Sequence, residues 1–453
     1  MNLKNLQNIY FLGIGGIGMS ALARYFHSKG IFVSGYDKTQ TELTQKLIEE
    51  GIEIHFNENI EKIKSTKPEL IVYTPAIPES NKELQYFRQN NFNIYKRSEI
   101  LGMICKEKFS IAVAGTHGKT SISSIITHIL KCGNKKITAF VGGISKNYNS
   151  NFINDKNSEI VIAEADEFDR SFLTLNPDIA VISSVDADHL DIYGSGEELK
   201  ESFILFSENI KSGGKLIVNN KISKIFETPK SKFLYSASEK GDYYASNIRI
   251  KNGENIFDIN LGNEIINEIN FKVPGNFNIE NAVAASAVAS LLGIKKQIIK
   301  EALESYEGVK RRFDIQINRK DFVFIDDYAH HPKELKSMIG AVKELFPNKK
   351  ICGIFQPHLF TRTRDFADDF ARSLEILDEV ILLDIYPARE KPIPGVDSQM
   401  LFDKINSPNK ILCKKNDLIF ELKKRNIDVL LTLGAGDIDK LVKNIKEEYE
   451  KSI

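Results

Sequence analysis

The stretch Ala114-Gly115-Thr116-His117-Gly118-Lys119-Thr120-Ser121 decides the fold of this chain. The apolar run Ser110–Ala114 enters it and the helix-periodic run Ser121–Lys131 leaves it, so it reads as a turn between a strand and a helix. Glycines at such a turn let backbone N–H groups face a phosphate chain, and the helix N-terminus adds positive partial charge. Lys119 then reaches the β- and γ-phosphates, and the Thr120 hydroxyl is placed to ligate Mg2+. The loop departs from the G-x-x-x-x-G-K-[ST] pattern, whose first glycine would fall at Val113. A Gly-rich strand–helix turn with a chance lysine is the competing reading.

Working outward toward the N-terminus, strand-like runs at Ile9–Ile14, Ile31–Asp37 and Leu70–Tyr73 alternate with helical runs at Ser20–Lys29 and Glu42–Glu50. That alternation predicts a parallel sheet in a unit ending near residue 105. Gly13-Ile14-Gly15-Gly16-Ile17-Gly18 lies at the first strand–helix turn, with Asp37 closing the second strand. The pattern suits a diphosphate at the helix terminus with the acid on a ribose, or tight strand–helix packing without a ligand.

Toward the C-terminus, strands are expected at Ile160–Ala163 and Ile179–Ser183, an antiparallel excursion over 220–272, and helices at Ile279–Leu292 and Lys296–Ser305. This middle unit ends near Asp314. A third α/β unit carries strands Phe322–Asp326, Ile351–Phe355, Val380–Leu383 and Val429–Leu433. The fold class is therefore α/β with three domains, placed at 1–105, 106–314 and 315–453.

Carboxylates cluster where strands end. Glu164-Ala165-Asp166-Glu167-Phe168-Asp169 follows one strand of the middle unit and Asp186-Ala187-Asp188-His189-Leu190-Asp191 another. Ligands of α/β sheets bind at such strand ends, so these groups are candidates to hold Mg2+ beside the phosphate loop; alone they would read as solvated loops. The third unit carries Asp326-Asp327-Tyr328-Ala329-His330-His331-Pro332 after a strand, and Arg362 and Arg364 after Gln356-Pro357-His358-Leu359. Both arginines suit bidentate carboxylate or phosphate contacts, and Lys310-Arg311-Arg312 sits at the preceding boundary.

Composition excludes several classes. The 453 residues carry 61 Lys plus Arg against 61 Asp plus Glu, a net charge of zero. That balance argues against nucleic-acid binding, which draws on excess cations. No apolar stretch approaches the roughly 18–20 residues that span a bilayer. Ala282–Ile294 reads as a buried helix instead. Cys105, Cys132, Cys352 and Cys413 are scattered without C-x-x-C spacing and read as buried thiols in a reducing, cytoplasmic compartment. Lys4 and the run Ile9–Gly18 mimic a short signal peptide, but glycines break that run, and none is expected to be cleaved.

Taken in order, the motifs resemble the Mur ligase family over nearly the whole length. They are GIGGIGMS (13–20), GTHGKT (115–120), EADEFD (164–169), DHLD (188–191), PGNFNIENA (274–282), RRFD (311–314), DDYAHHP (326–332), PAREKPIP (387–394) and LGAGDI (433–438). The resemblance implies an N-terminal Rossmann-like domain for a UDP-sugar, a central P-loop-like domain for ATP and a C-terminal Rossmann-like domain that closes and helps bind an amino acid. It implies an ATP-dependent amide ligase joining L-alanine to the carboxylate of UDP-N-acetylmuramate through an acyl phosphate, with Mg2+, as a monomer or weak dimer. Carried over by motif, ATP meets Ala114, Gly115, Thr116, His117, Gly118, Lys119 and Thr120, and farther on Asn278, Asn281, Arg312 and Asp327. Lys119, His189 and Arg312 are implied to be catalytic, and Thr120, Glu164 and His189 to hold the metal. The substrate side takes Gly15, Gly16, Ile17, Gly18, Ser20 and Asp37, together with His330, Arg362 and Arg364.

Two departures stand out. Leu359 occupies a position where the family usually has Arg. Ile204–Ser207 lacks the modified Lys of several sister ligases, as the alanine-adding branch also does. The alternatives are a sister ligase that attaches a recycled tripeptide to the same nucleotide sugar, and a nucleotide-dependent dehydrogenase or sensor using Gly13–Gly18 for NAD.

Overall fold

A computed structural model describes residues 3–227, 231–251, 253–388 and 390–451. Arg389 of the PAREKPIP stretch lies outside them, as do the side chains of Leu190 and Asp191 in DHLD. The chain divides into two compact units, one built mainly from residues 1–236 and 284–299, the other from 244–283 and 300–453.

The first unit holds two sheets. In spatial order the first runs Glu53–His55, Phe32–Tyr36, Asn8–Leu12, Leu70–Tyr73 and Ile94–Lys96, and every pair is parallel. The order reverses beside Asn8–Leu12, so the turn that follows, Gly13 to Gly18, opens at the switch point where such sheets bind ligands. Helix Ile17–His27 leaves that turn and buries Met19, Ala21, Leu22, Ala23 and Phe26 against the sheet. Two strands of this sheet, Glu53–His55 and Ile94–Lys96, are only three residues each, too short for a readable alternation.

The second sheet of this unit runs Lys232–Ser236, Lys215–Asn219, Ile179–Ile182, Phe109–Ala114, Ile160–Glu164, Ile137–Ser145 and Ser150–Asn154. All neighbours are parallel except the last pair, a hairpin. Phe109–Ala114 lies between Ile160–Glu164 and Ile179–Ile182, with Val113 opposite Glu164 and Ala114 opposite Ile182. Three strand ends therefore open side by side, and that register brings the sequence-distant acids to the phosphate loop. Lys232–Ser236 pairs parallel, so the antiparallel excursion expected from residue 220 is corrected to a later start. Strands Glu254–Leu261 and Glu264–Phe271 of the second unit do pair antiparallel.

The remaining sheet of the second unit runs Asp314–Asn318, Val323–Asp327, Val429–Leu433, Ile351–Phe355, Glu379–Leu382 and Lys410–Leu412. Only its first pair is antiparallel, so this sheet begins one strand earlier than the sequence suggested. Val323 and Ile325 face one apolar cluster and Phe324 another, which is why these strands read as unbroken apolar runs. Ala282–Ala285 and Ala287–Ala289 are fully buried, as the sequence predicted for that helix. Cys105, Cys352 and Cys413 are buried free thiols, whereas Cys132 is exposed at a helix end, a correction to the expectation for all four.

Candidate functional site

The loop after Phe109–Ala114 forms because its backbone needs glycine. Gly115 has φ +131°, and a Cβ there would run into the Ser183 hydroxyl and stand 2.9 Å from the Ser184 nitrogen. Gly118 caps helix Lys119–Cys132, whose first-turn N–H groups face the loop. Thr116 donates its hydroxyl to the Asp186 carbonyl at 2.9 Å, and the His117 ring lies 3.3 Å from the Asp186 carboxylate.

Lys119 is largely buried, its Nζ 2.8 Å from both carboxylate oxygens of Glu167 and 2.7 Å from the Gly115 carbonyl. Burial works against the ammonium, but Glu167, Asp166 and Glu164 outweigh it and hold Lys119 above its ordinary pKa. Glu167 stands in the carboxylate run offered for Mg2+, but its carboxylate meets Lys119 instead; spacing does not say which acid of that run turns inward.

Thr120 and Glu164, both expected at the metal, are brought together. The Thr120 hydroxyl lies 3.2 Å from Glu164 Oε2, while Glu164 Oε1 accepts from the Ser123 hydroxyl at 3.2 Å and the Gly142 N–H at 2.5 Å. Two hard oxygen donors beside a phosphate loop fit a hydrated Mg2+, which keeps several waters and takes one or two protein ligands. His189 is placed differently. Its backbone is left-handed at φ +52°, its Nε2 lies 3.7 Å from Asp188 and its ring packs edge-on to Phe168. It stands within electrostatic reach of Glu167.

At the Gly13–Gly18 turn, Asp37 lies half-buried beside the glycine loop. Its carboxylate accepts the Gly15 N–H at 2.8 Å and the Thr39 N–H at 3.0 Å. Ser20, expected on the substrate side, is fully buried. Its hydroxyl donates to the Ile17 carbonyl at 2.9 Å and accepts from Asn151 at 2.9 Å, so it serves packing and is withdrawn as a ligand contact. Gly16 and Ile17 begin the helix, and Gly18 lies against Arg97, 3.0 Å from where a Cβ would stand. Arg97 also pairs with Asp166 at 3.2 Å and lines a cavity of about 110 Å³ with Thr74, Lys96 and Phe168.

Gly15→Val is expected to act through the fold before it acts on a ligand. A Cβ at Gly15 would sit 2.6 Å from the Thr44 methyl and 2.8 Å from the Asp37 carboxylate. Overpacking of this kind costs about 1–3 kcal/mol. Thermal melting should show it in the absence of any substrate. An unchanged melting temperature would return the residue to a purely ligand-facing role.

In the second unit, Arg311 and Arg312 both stack on Tyr328, at 5.0 and 4.9 Å from its ring centre. Tyr328, a residue the sequence did not single out, thus fixes two cations, worth about 0.5–2 kcal/mol each. Arg312 also lies 4.0 Å from Glu334. Asn278 and Asn281 are buried together; Asn278 donates to the Pro274 carbonyl at 2.6 Å and Asn281 to Asn278 at 3.4 Å. His330 Nδ1 lies 3.0 Å from the Tyr328 carbonyl and 3.2 Å from Glu334. Arg362 is buried and lies 3.4 Å from His358, whereas Arg364 is half-exposed and paired with Asp365 at 2.7 Å. Leu359 is buried, so no cation stands at the position where Arg was expected.

Asp326 and Asp327 end their strand side by side. Burial, opposed by Arg311 and the Thr432 hydroxyl, pushes the Asp326 carboxyl up to about 6. Burial, opposed by Arg312 and the N–H groups of Phe313 and Ala329, pushes Asp327 up to about 6 as well. Because folding raises both values, their contribution to stability is fully present below the unfolded pKa near 4 and is lost as pH rises through 6. Between pH 8 and pH 5 each should add about 1 kcal/mol. Denaturant titrations of wild type and Asp326→Asn check this, since the variant should flatten the pH dependence by that amount. Identical slopes would contradict it.

Three family models match successive stretches of the chain. Residues 8–109 match the family described as "Mur ligase family, catalytic domain", 113–289 the "Mur ligase middle domain" and 311–437 the "Mur ligase, glutamate ligase domain". A UDP-N-acetylmuramate–L-alanine ligase of Flavobacterium psychrophilum is 50% identical over 454 residues, covering 100% of both chains. One of Parabacteroides distasonis is 50% identical, covering 100% of this chain and 99% of its own. The crystal structure of a UDP-N-acetylmuramate–alanine ligase from Thermotoga maritima superposes with a TM-score of 0.82 at 30% identity, covering 98% of this chain and 100% of that one. A murein peptide ligase from Psychrobacter arcticus shares the fold, with a TM-score of 0.72 at 20% identity over 97% and 98% of the two chains.

Proposed function

Because the chain belongs to the Mur ligase family, we propose that it joins L-alanine to the carboxylate of UDP-N-acetylmuramate with cleavage of ATP to ADP and phosphate, a step in peptidoglycan precursor synthesis. The observation that carries the reading is half identity, from end to end, with ligases of that activity. The geometry agrees: a glycine loop at a helix N-terminus, with Lys119 above it and Thr120 and Glu164 beside it. The family is ATP-dependent, and the loop is where the triphosphate belongs. We assign the UDP-sugar to residues 1–105, ATP to 106–314 and the amino acid to 315–453. No helix among the described residues is long and apolar enough to cross a membrane. We place the enzyme in the cytoplasm as a monomer or weak dimer, without nucleic-acid or membrane partners.

The chemistry asks for two anions to meet. The muramoyl carboxylate attacks the γ-phosphorus, ADP leaves, and the amine of L-alanine then displaces phosphate from the acyl phosphate. Lys119 neutralises charge on the transferring group, and loop N–H groups orient it, which is most of what phosphoryl transfer requires. Mg2+, held by Thr120 and Glu164 with His189 nearby, would supply further charge neutralisation across the phosphates. Arg312 is the proposed phosphate contact of the second unit, with Asn278, Asn281 and Asp327 on the nucleotide. His330, Arg362 and Arg364 are proposed for the amino acid. The Gly13–Gly18 turn takes the diphosphate, with the Asp37 carboxylate beside it.

Phosphate release from ATP with UDP-N-acetylmuramate, with and without L-alanine, tests the reaction. Release that needs L-alanine supports it. Release that needs a tripeptide instead points to the recycling activity, and thermal protection by NAD but not by UDP-sugar would overturn both.

A further inference from the structure

Glu167 is the most buried acid near the phosphate loop, 1% exposed, and both its carboxylate and its backbone carbonyl are bound. Both its carboxylate oxygens meet Lys119 Nζ at 2.8 Å, and its carbonyl accepts the Tyr193 hydroxyl at 2.6 Å. The residues flanking it are pinned as well. Asp166 pairs with Arg97 at 3.2 Å and accepts the Phe168 N–H at 3.1 Å, and Asp169 pairs with Lys96 at 2.6 Å. Asp169 and Arg170 are both left-handed, at φ +54°, so the segment turns sharply straight after Glu167. Burial and a pinned backbone therefore limit how far the carboxylate can move, so it can serve as an anchor for the lysine.

The three protons of Lys119 Nζ have three acceptors, the two oxygens of Glu167 and the Gly115 carbonyl. A phosphate oxygen gains a donor when the carboxylate passes from two contacts to one, and the remaining contact keeps the ammonium aimed. We propose that Glu167 is a positioning residue for the ligase reaction, holding the Lys119 ammonium at the phosphate loop before and during phosphoryl transfer. The inference rests on the assignment of that loop to ATP. Neutralising the partner without changing its shape should leave the lysine charged but mobile across the site. Misplacement of a charge-stabilising group by about 1 Å costs on the order of 10²-fold in rate.

The test is Glu167→Gln and Glu167→Asp in the full chain, with kcat and the KM for ATP measured beside thermal melting. The expected result is a fall in kcat of roughly 10- to 100-fold in Glu167→Gln with the KM for ATP within about threefold, and a smaller fall in Glu167→Asp, which keeps the charge but shortens its reach. A purely structural role would lower the melting temperature and leave kcat per folded molecule unchanged, which overturns the proposal. A raised KM with kcat unchanged overturns it too, because that is ground-state binding alone. If Glu167→Gln does not fold, Glu167→Asp decides, and a wild-type kcat there is also contrary. Lys119→Ala, assayed in parallel, separates the two levels: turnover in that variant defeats the ATP-loop assignment, whereas its loss together with a normal Glu167→Gln defeats this inference alone.

Discussion

Lys119→Ala is expected to lose ligase activity by at least 10²–10³-fold, the effect of removing one preorganised donor from a developing oxyanion. It should also lose stability, which a lysine reaching into solvent would not. The partner left behind, Glu167, is 1% exposed, and stripping one member from a buried pair leaves an uncompensated charge. Full burial would make that about 3–5 kcal/mol. Lys119 keeps 17% of its side chain in solvent, so the lower end applies. The double variant Lys119→Ala/Glu167→Ala should recover much of the stability and none of the activity, because two charges are removed together. Melting curves and ADP formation measure the two effects separately. Near-normal ADP formation in Lys119→Ala would remove the lysine from phosphate binding, and an unchanged melting temperature would contradict the buried pair.

The loop, its strand and its helix were legible because glycine spacing and hydrophobic period are local properties, and both survive in the structure within a residue or two. The nearness of Glu164 to Thr120 was legible only as a possibility. It depends on Val113 pairing with Glu164, a register between strands that no local pattern encodes. The inward turn of Glu167 was not legible, because it follows from two left-handed residues, Asp169 and Arg170, neither of them glycine. Ser20 failed for the opposite reason. It sits in a motif of glycines expected to face a ligand, but its place on the helix points it at Asn151, far away in sequence. Tyr328 was passed over because an aromatic after two acids has no chemistry of its own until Arg311 and Arg312 are seen on its ring. The short strands Glu53–His55 and Lys410–Leu412 carry too few residues for periodicity to show at all.

Glu164 and His189 should separate clearly when each is replaced. Glu164→Gln keeps the shape of a side chain that accepts from Ser123 and from the Gly142 N–H, and so keeps much of the packing while removing the charge. If that carboxylate holds Mg2+ with Thr120, 3.2 Å away, the variant should need much more Mg2+ and turn over about 10²–10³-fold more slowly at ordinary concentrations. His189 is a weaker candidate on its own chemistry, since Mg2+ prefers oxygen, and on its surroundings, Asp188 and the edge of Phe168. His189→Gln should therefore cost about tenfold or less and leave the Mg2+ requirement near that of wild type. Titrating Mg2+ against initial rate at saturating ATP in the three proteins decides between the two residues. If His189→Gln shifts the Mg2+ requirement as far as Glu164→Gln does, the imidazole belongs in the metal site. If neither shifts it, the oxygen pair at Thr120 and Glu164 serves the loop's geometry, and the cation must be held by the phosphates themselves.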